Sequence, residues 1–233
     1  DKAESEQEIA YRINRDSPAA LAQVAKDLKI PFVHYSTDYV YDGTKGSAYV
    51  ESDPTKPLNV YGQSKLEGDQ AVLKAGGAAL VLRTSWVYSM RQGGFVTKVL
   101  QWARQQEVMR VVDDQISGPT SARMLAEISA LILARGGSDI YGWLRERTGV
   151  YHCAGDGACS RFEWAKLIMR LDPKKEEQKV KLLEPAKSSE FPVPATRPMV
   201  SVLNNDKLAQ TFDLRLPLWQ HGLELTMRDF LRL

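Results

Sequence analysis

The chain has 233 residues, 43% hydrophobic and 26% charged, enough to bury a sizeable core in one large domain or two closely packed small ones. Its 31 Lys and Arg against 29 Asp and Glu leave a net charge of +2, which argues for neither a nucleic-acid nor a membrane-surface partner. No apolar run approaches the roughly 20 residues that cross a bilayer, and Asp1-Lys2-Ala3-Glu4-Ser5 has no signal-peptide pattern, so the expected compartment is the cytoplasm.

In chain order, Leu21, Val24, Ala25 and Leu28 form the i, i+3, i+4, i+7 stripe of a packed helix within Ile9 to Leu28. Ile30 to Tyr35 reads as a strand ending in the polar Ser36-Thr37-Asp38, and such strand ends often carry active-site residues in open α/β sheets. Gly43 to Pro57, polar and rich in Gly and Pro, reads as a long loop, a feature uncommon unless functional. A helix is expected from Asn59 to Lys74, a strand over Ala79 to Leu82, a loop holding Trp86 and Tyr88, and a helix from Phe95 to Arg104. Val108 to Val112 follows as a strand, Ala122 to Arg135 as a helix with Leu125, Ile128 and Ile132 inward, Val150 to Cys153 as a strand, then a helix from Ser160. This βαβα order predicts a mainly parallel sheet covered on both faces. Beyond Leu171 the pattern weakens: Asp172 to Glu177 is a charged loop, Phe191 to Pro198 is rigid and extended, and Trp219 to Leu233 closes as an amphipathic helix. Cys153 and Cys159, with His34, His152 and His221 scattered, give neither a disulfide framework nor a zinc spacing, and read as core or loop thiols.

Tyr61 and Lys65, four apart, share one helix face. A nearby ammonium favours the phenolate, which would bring the phenol's pKa of about 10 closer to neutrality. That is the tuning of a carbonyl reductase: as hydride reaches a ketone carbon, a positioned acid protonates the oxygen and contributes roughly 10²- to 10⁴-fold. Thr37, at its strand end, could hold the same oxygen. Alone, the Tyr-x-x-x-Lys spacing describes an exposed helix pair more often than a site.

The longer strings are more specific. Tyr35-Ser36-Thr37-Asp38-Tyr39-Val40-Tyr41-Asp42-Gly43 with Pro57-Leu58-Asn59-Val60-Tyr61-Gly62-Gln63-Ser64-Lys65-Leu66-Glu67-Gly68 resembles the extended short-chain dehydrogenase/reductase family. Arg83 to Tyr88, Asp114 to Thr120, and Arg197-Pro198 with Ser201 and Leu203 look like its dTDP-4-dehydrorhamnose reductases, in the same order and over nearly the whole chain. The resemblance implies a Rossmann-like fold with a mainly parallel sheet, residues 1–112 carrying the catalytic motif and 113–233 a smaller, mixed substrate-binding region with sheet-completing elements. It implies Thr37, Tyr61 and Lys65 as catalytic hydroxyl, proton donor and tuning lysine, with Tyr61, Lys65 and Thr84 at the cofactor. Thr37, Asp38, Tyr39 and Trp86 would face the sugar, and Arg197 the diphosphate, because a guanidinium binds phosphate oxygens in a bidentate way. The bland readings are a turn cap for Asp38, a core aromatic for Trp86 and a loop salt bridge for Arg197. By the same resemblance the substrate is a thymidine-diphosphate 4-keto-6-deoxy sugar, NADPH or NADH gives the hydride, and a homodimer is admitted. Magnesium, associated with a dimer contact in some members, finds no assignable carboxylate cluster.

Two departures stand out. No strand with a Gly-rich turn opens the chain, and the first residues resemble a segment well inside the family, so a cofactor half-domain is expected to be missing, with the fragment inactive and a raw apolar sheet edge left open. Gly155-Asp156-Gly157-Ala158-Cys159-Ser160 is a tempting substitute, but Ser160 stands where the third glycine belongs, and the run reads as a tight turn capped by Ser160. Val200 replaces the family's usual asparagine, which weakens polar contact to substrate there. Rival readings are an epimerase or dehydratase of the same extended family, and a non-catalytic NADP-binding subunit like the relatives that regulate methionine adenosyltransferase.

Overall fold

The computed structural model describes residues 1–91 and 93–230. Helices α1 (Lys2–Ser5), α2 (Gln7–Tyr11) and α3 (Ser17–Asp27), with one π turn between the last two, precede strand β1 (Phe32–Thr37). Helix α4 (Val60–Ala75), β2 (Ala79–Thr84), β3 (Val87–Tyr88), α5 (Phe95–Gln105), β4 (Val108–Val112), β5 (Ile116–Ser117) and β6 (Thr120–Ser121) follow. The chain then runs through α6 (Ala122–Arg135), α7 (Ile140–Arg145), β7 (Gly149–His152), β8 (Cys159–Ser160), α8 (Arg161–Leu171), β9 (Leu182–Ala186), α9 (Asp206–Phe212) and α10 (Trp219–Phe230). The tail of the predicted closing helix, residues 231–233, lies outside the described residues.

The main sheet is parallel, in the order β1-β2-β7, with Thr37 opposite Thr84 and Arg83 opposite His152. Every residue of β2 is buried, as an apolar run in a sheet covered on both sides requires. Ala79 and Val81 meet Val72 of α4 and Ala22 of α3, while Leu80 and Leu82 face Leu125, Ile128 and Ile132 of α6 on the other side. The period-2 alternation of a strand thus divides two cores.

A third core surrounds Trp164 of α8, with Val96 and Val99 of α5, Met109 and Val111 of β4, and Leu223 of α10. Here β4 departs from the expected single sheet. It pairs in parallel with β9 alone, a strand the charged stretch before it conceals and which tolerates Pro185 because a two-stranded sheet is all edge. The loop predicted to hold Trp86 and Tyr88 contains the short strand β3, paired with β6. The stripe on α3 is corrected as well. Leu21, Val24 and Leu28 are 57%, 53% and 65% exposed, and the face packed on α4 is the small one, Pro18, Ala22 and Ala25, which lets the two helices approach closely.

A buried polar chain crosses the sheet. Arg83 Nε donates to Asp69 Oδ2 of α4 at 3.1 Å, and its Nη1 donates to the Tyr41 hydroxyl at 2.9 Å, which lies 2.8 Å from His152 Nε2. Two backbone carbonyls, of Tyr49 and Asn204, approach His152 Nδ1 at 3.1 and 3.2 Å, which assigns the ring proton to that nitrogen. Burial, helped by Arg83, pushes the His152 pKa down to about 3, so the ring stays neutral. Removing one partner of a buried ion pair strands the other. Arg83→Leu is therefore expected to lower unfolding stability by about 3–5 kcal/mol in urea titrations; a loss under about 1 kcal/mol would contradict the role given to this chain.

Candidate active site

β1 and β2 end together at Thr37 and Thr84, on the carboxyl edge where open parallel sheets bind their ligands. The chain turns there through Asp38–Val40, capped by Thr37 Oγ1, which accepts from Tyr39 N at 3.2 Å. α4 begins against this turn. Its cap, Asn59, accepts from Gly62 N at 2.7 Å and donates to Thr196 O at 2.8 Å, joining the helix start to the extended 191–198 segment. A methyl group on Gly62 would collide with the carbonyl of Tyr39, so only glycine lets the first turn of α4 come this close. That approach brings Tyr61 to the turn after β1: the rings of Tyr39 and Tyr61 meet edge-on at 6.0 Å, and the Thr37 hydroxyl, which donates to Asp38 Oδ1 at 3.2 Å, lies close enough to pull the phenol's pKa down.

The electrostatics differ from the sequence expectation. Tyr61 has its pKa raised, chiefly by burial, with Asp38, Tyr39 and Asp69 adding to the rise and only the Thr37 hydroxyl opposing it. Lys65 does not tune it downward, because its Nζ donates to the Tyr35 carbonyl at 2.5 Å and lies 3.4 Å from His34 Nε2. Burial lowers the lysine's own pKa, against the pull of Asp69. At neutral pH the phenol therefore keeps its proton. Beside this group the hydroxyls of Ser36 and Thr84 are buried without a hydrogen-bond partner, a state that costs about 1–3 kcal/mol each. Such unmet hydroxyls at the carboxyl edge fit the amide and ribose of a nicotinamide cofactor.

The predicted sugar-facing residues divide in two. Asp38 is 2% exposed, and its carboxylate accepts from Ser201 at 2.5 Å, Ser117 at 3.3 Å and Thr37 at 3.2 Å, tying three segments together behind the site. Burial raises its pKa to about 6, against those three hydroxyls. Tyr39, Trp86 and Arg197 gather instead around Arg161, a residue the sequence reading passed over. The Arg161 guanidinium stacks 4.1 Å over Trp86 and 5.3 Å over Phe95, its Nε donates to Gln115 Oε1 at 3.0 Å, and the Tyr39 hydroxyl lies beside it. Trp86 has a φ of +42°, a left-handed conformation that is rare for a bulky residue and costs about 1–3 kcal/mol. Its ring is held by stacking on Trp164 at 5.6 Å as well as by the arginine, the packing of its core-aromatic reading. Arg197 has the salt bridge of its bland reading, to Asp1 Oδ2 at 3.3 Å, and also lines a 320 Å³ cavity with Arg161. A 520 Å³ groove shares Val112, Arg161 and Phe191 with that cavity; neither is lined by Thr37, Tyr61 or Lys65. One signal in the sequence did point to Arg161: a cation placed directly after the capping Ser160, in the first helical turn, opposes the helix dipole.

The run 155–160 is the expected tight turn. Gly157 has a φ of +82°, and Ser160 caps α8 in a reciprocal capping box with Glu163. Cys153 and Cys159 are buried free thiols whose pKa values burial pushes up. Among the described residues no cluster of three His, Cys, Asp or Glu is placed to hold a metal, and no helix is long and apolar enough to cross a membrane.

Fold and site together define an α/β protein of Rossmann-like architecture with a Tyr-Lys pair at the carboxyl edge of its parallel sheet. The sequence profile of the RmlD substrate binding domain matches residues 1–232, and the chain belongs to that family. It is 40% identical to a dTDP-4-dehydrorhamnose reductase of Burkholderia thailandensis over 99% of this chain and 78% of the relative, and 36% identical to that of Escherichia coli K12 over 98% and 75%. Among solved structures it resembles a dTDP-4-dehydrorhamnose reductase of Clostridium acetobutylicum, with a TM-score of 0.87 and 32% identity over 100% of this chain and 77% of the other. A Bacillus anthracis dTDP-4-dehydrorhamnose reductase in complex with NADP gives a TM-score of 0.84 at 32% identity, over 98% and 76%. A dTDP-glucose 4,6-dehydratase of the same organism, at 18% identity over 95% of this chain and 68% of the other with a TM-score of 0.72, shares the fold alone.

A raised folded pKa at Asp38 means that the folded state binds its proton more tightly than the unfolded chain, where the value is the ordinary 3.8. Its contribution to stability is thus full below about pH 4 and lost as pH rises through about 6. In paired urea titrations, Asp38→Asn should gain stability relative to wild type between pH 4 and pH 7. A wild-type-minus-variant difference that is flat across that window would remove the assignment.

Proposed function

We propose that this chain carries the catalytic and substrate-binding residues of an NAD(P)H-dependent sugar-nucleotide ketoreductase that converts dTDP-4-dehydro-L-rhamnose to dTDP-L-rhamnose, in dTDP-rhamnose biosynthesis. The observation that carries this reading is Tyr61, its phenol kept protonated, placed beside Thr37 at the carboxyl edge of a parallel sheet, with Lys65 one helical turn further on. The relatives named for this reaction and the complex with NADP support it.

A reduced nicotinamide, when bound, supplies a hydride to a carbonyl carbon. The chain's residues do the rest. As charge grows on the sugar O4, Tyr61 Oη gives it a proton and Thr37 Oγ1 holds the same oxygen, so the carbonyl becomes an alcohol and the tyrosine a phenolate that solvent reprotonates. Lys65, half-buried and already short of solvation, compensates that phenolate and donates to the cofactor ribose, with Thr84 as a further polar partner. Tyr39 and Trp86 form the sugar-facing wall, Asp38 supports it through Ser117, Ser201 and Thr37, and Arg197 meets the diphosphate. Residues 1–112 act as the Rossmann-like part and 113–233 as the substrate-binding and sheet-completing part, in a protein of the cytoplasm able to form homodimers and using NADPH or NADH.

The reading is tested by following NADPH oxidation with dTDP-4-dehydro-L-rhamnose in the full-length protein. Steady oxidation supports it; a folded protein that binds NADPH and never oxidises it overturns it. Tyr61→Phe should cut turnover by roughly 10²- to 10⁴-fold with NADPH affinity nearly intact, and unchanged turnover ends the proton-donor role. Lys65→Met should weaken both turnover and NADPH affinity, since one ammonium serves both; affinity left untouched removes the ribose contact.

A further inference from the structure

Arg161 occupies a position that electrostatics disfavour and aromatic stacking holds. It opens α8, where the helix dipole disfavours a cation. It shares the 320 Å³ cavity with a second guanidinium, Arg197. Among the described residues no carboxylate forms an ion pair with it; the groups beside it are neutral, the Gln115 amide oxygen that accepts from its Nε and the Tyr39 hydroxyl. Burial and the charge of Arg197 both work against its protonated form, with Tyr39 and Asp38 opposing. What fixes it is stacking: the guanidinium plane rests on Trp86, which rests on Trp164, with Phe95 at its side. A cation held rigidly by aromatic rings, with its donors uncommitted to any carboxylate and a second cation across a cavity, has the construction of an anion receptor.

We propose that Arg161 is a substrate-binding residue that, with Arg197, clamps the diphosphate of the sugar nucleotide from two sides, Arg161 also setting the ring of Trp86 against the sugar. This rests on the sugar-nucleotide reading above and adds to it a residue and a specificity. Two guanidiniums that line one cavity can each hold a different phosphate group, so a diphosphate engages both where a monophosphate engages one, and the site selects the diphosphate. An anion between them relieves the repulsion that the empty-handed pair carries, and the stacked geometry means that little side-chain freedom is lost on binding.

The test is calorimetric titration of the full-length protein with dTDP and with dTMP, which needs neither cofactor nor turnover. Wild type is expected to bind dTDP more tightly than dTMP. In Arg161→Gln the dTDP affinity should fall about ten- to hundredfold, the span of a charged hydrogen bond, while dTMP affinity changes little, so that the two converge. Arg161→Lys keeps the charge but not the fork and should recover part of the preference; near-ultraviolet circular dichroism of the Trp86 and Trp164 stack reports whether either variant has lost its packing. An Arg161→Gln protein with unchanged dTDP affinity and an intact stack overturns the clamp and leaves the reductase reading standing. A wild-type protein that binds neither nucleotide overturns both.

Discussion

Everything at the site depends on how α4 is fastened to the sheet, and one guanidinium does most of it. Arg83 sits on the central strand, 4% exposed, and reaches Asp69 on α4 with one nitrogen and Tyr41, just past β1, with another. The tyrosine continues the chain to His152 on β7. A single buried cation therefore fixes α4, the turn after β1 and the far strand relative to one another. Such pairs are weak sources of net stability but unforgiving when broken, because each charge is buried on the assumption that the other is there. Asp69 is one turn beyond Lys65 on the same helix, so the interaction that holds the helix also supplies the carboxylate that acts on Lys65 and Tyr61.

The site itself lies where two cores meet. Thr37, Tyr61 and Lys65 belong to the main parallel sheet and α4, whereas Trp86, Phe95 and Arg161 belong to the aromatic core around Trp164. Between them run the strained Trp86 backbone and the buried Asp38 carboxylate, both costly features. Local rules are broken at three neighbouring points: a left-handed tryptophan, a carboxylate buried among hydroxyls, and an arginine at a helix N-terminus. Their coincidence lies beside the cavity that Arg161 and Arg197 line, and broken local rules of this kind gather at functional sites.

Much of this was legible in the sequence. The α6 stripe of Leu125, Ile128 and Ile132 is buried as its spacing requires, the strands before Thr37 and Thr84 pair in parallel, and Ser160 caps its helix. Four features were not legible, each for a physical reason. The periodicity of Leu21, Val24 and Leu28 describes an apolar face without saying what covers it, and tight contact with α4 favoured the alanines instead. β4 reads as one more strand of a single sheet, and only its partner β9, hidden by Pro185 and a charged approach, shows that it belongs elsewhere. Arg161 carries no motif; its meaning comes from Trp86, Phe95 and Arg197, which are 75, 66 and 36 positions away in the chain and adjacent only after folding. Likewise the i, i+4 spacing places Tyr61 and Lys65 on one face, but the ammonium's preference for the Tyr35 carbonyl is a tertiary fact.

The most direct measurement is the fate of the hydride. The full-length protein would be supplied with dTDP-4-dehydro-L-rhamnose and NADPH deuterated at the transferring position of the nicotinamide C4, and the product read by mass spectrometry and proton NMR. A net reduction at this site puts one deuterium on the sugar C4, in a product one mass unit heavier. A product without deuterium, or an altered sugar formed with no cofactor consumed, as an epimerase or a dehydratase would give, contradicts it.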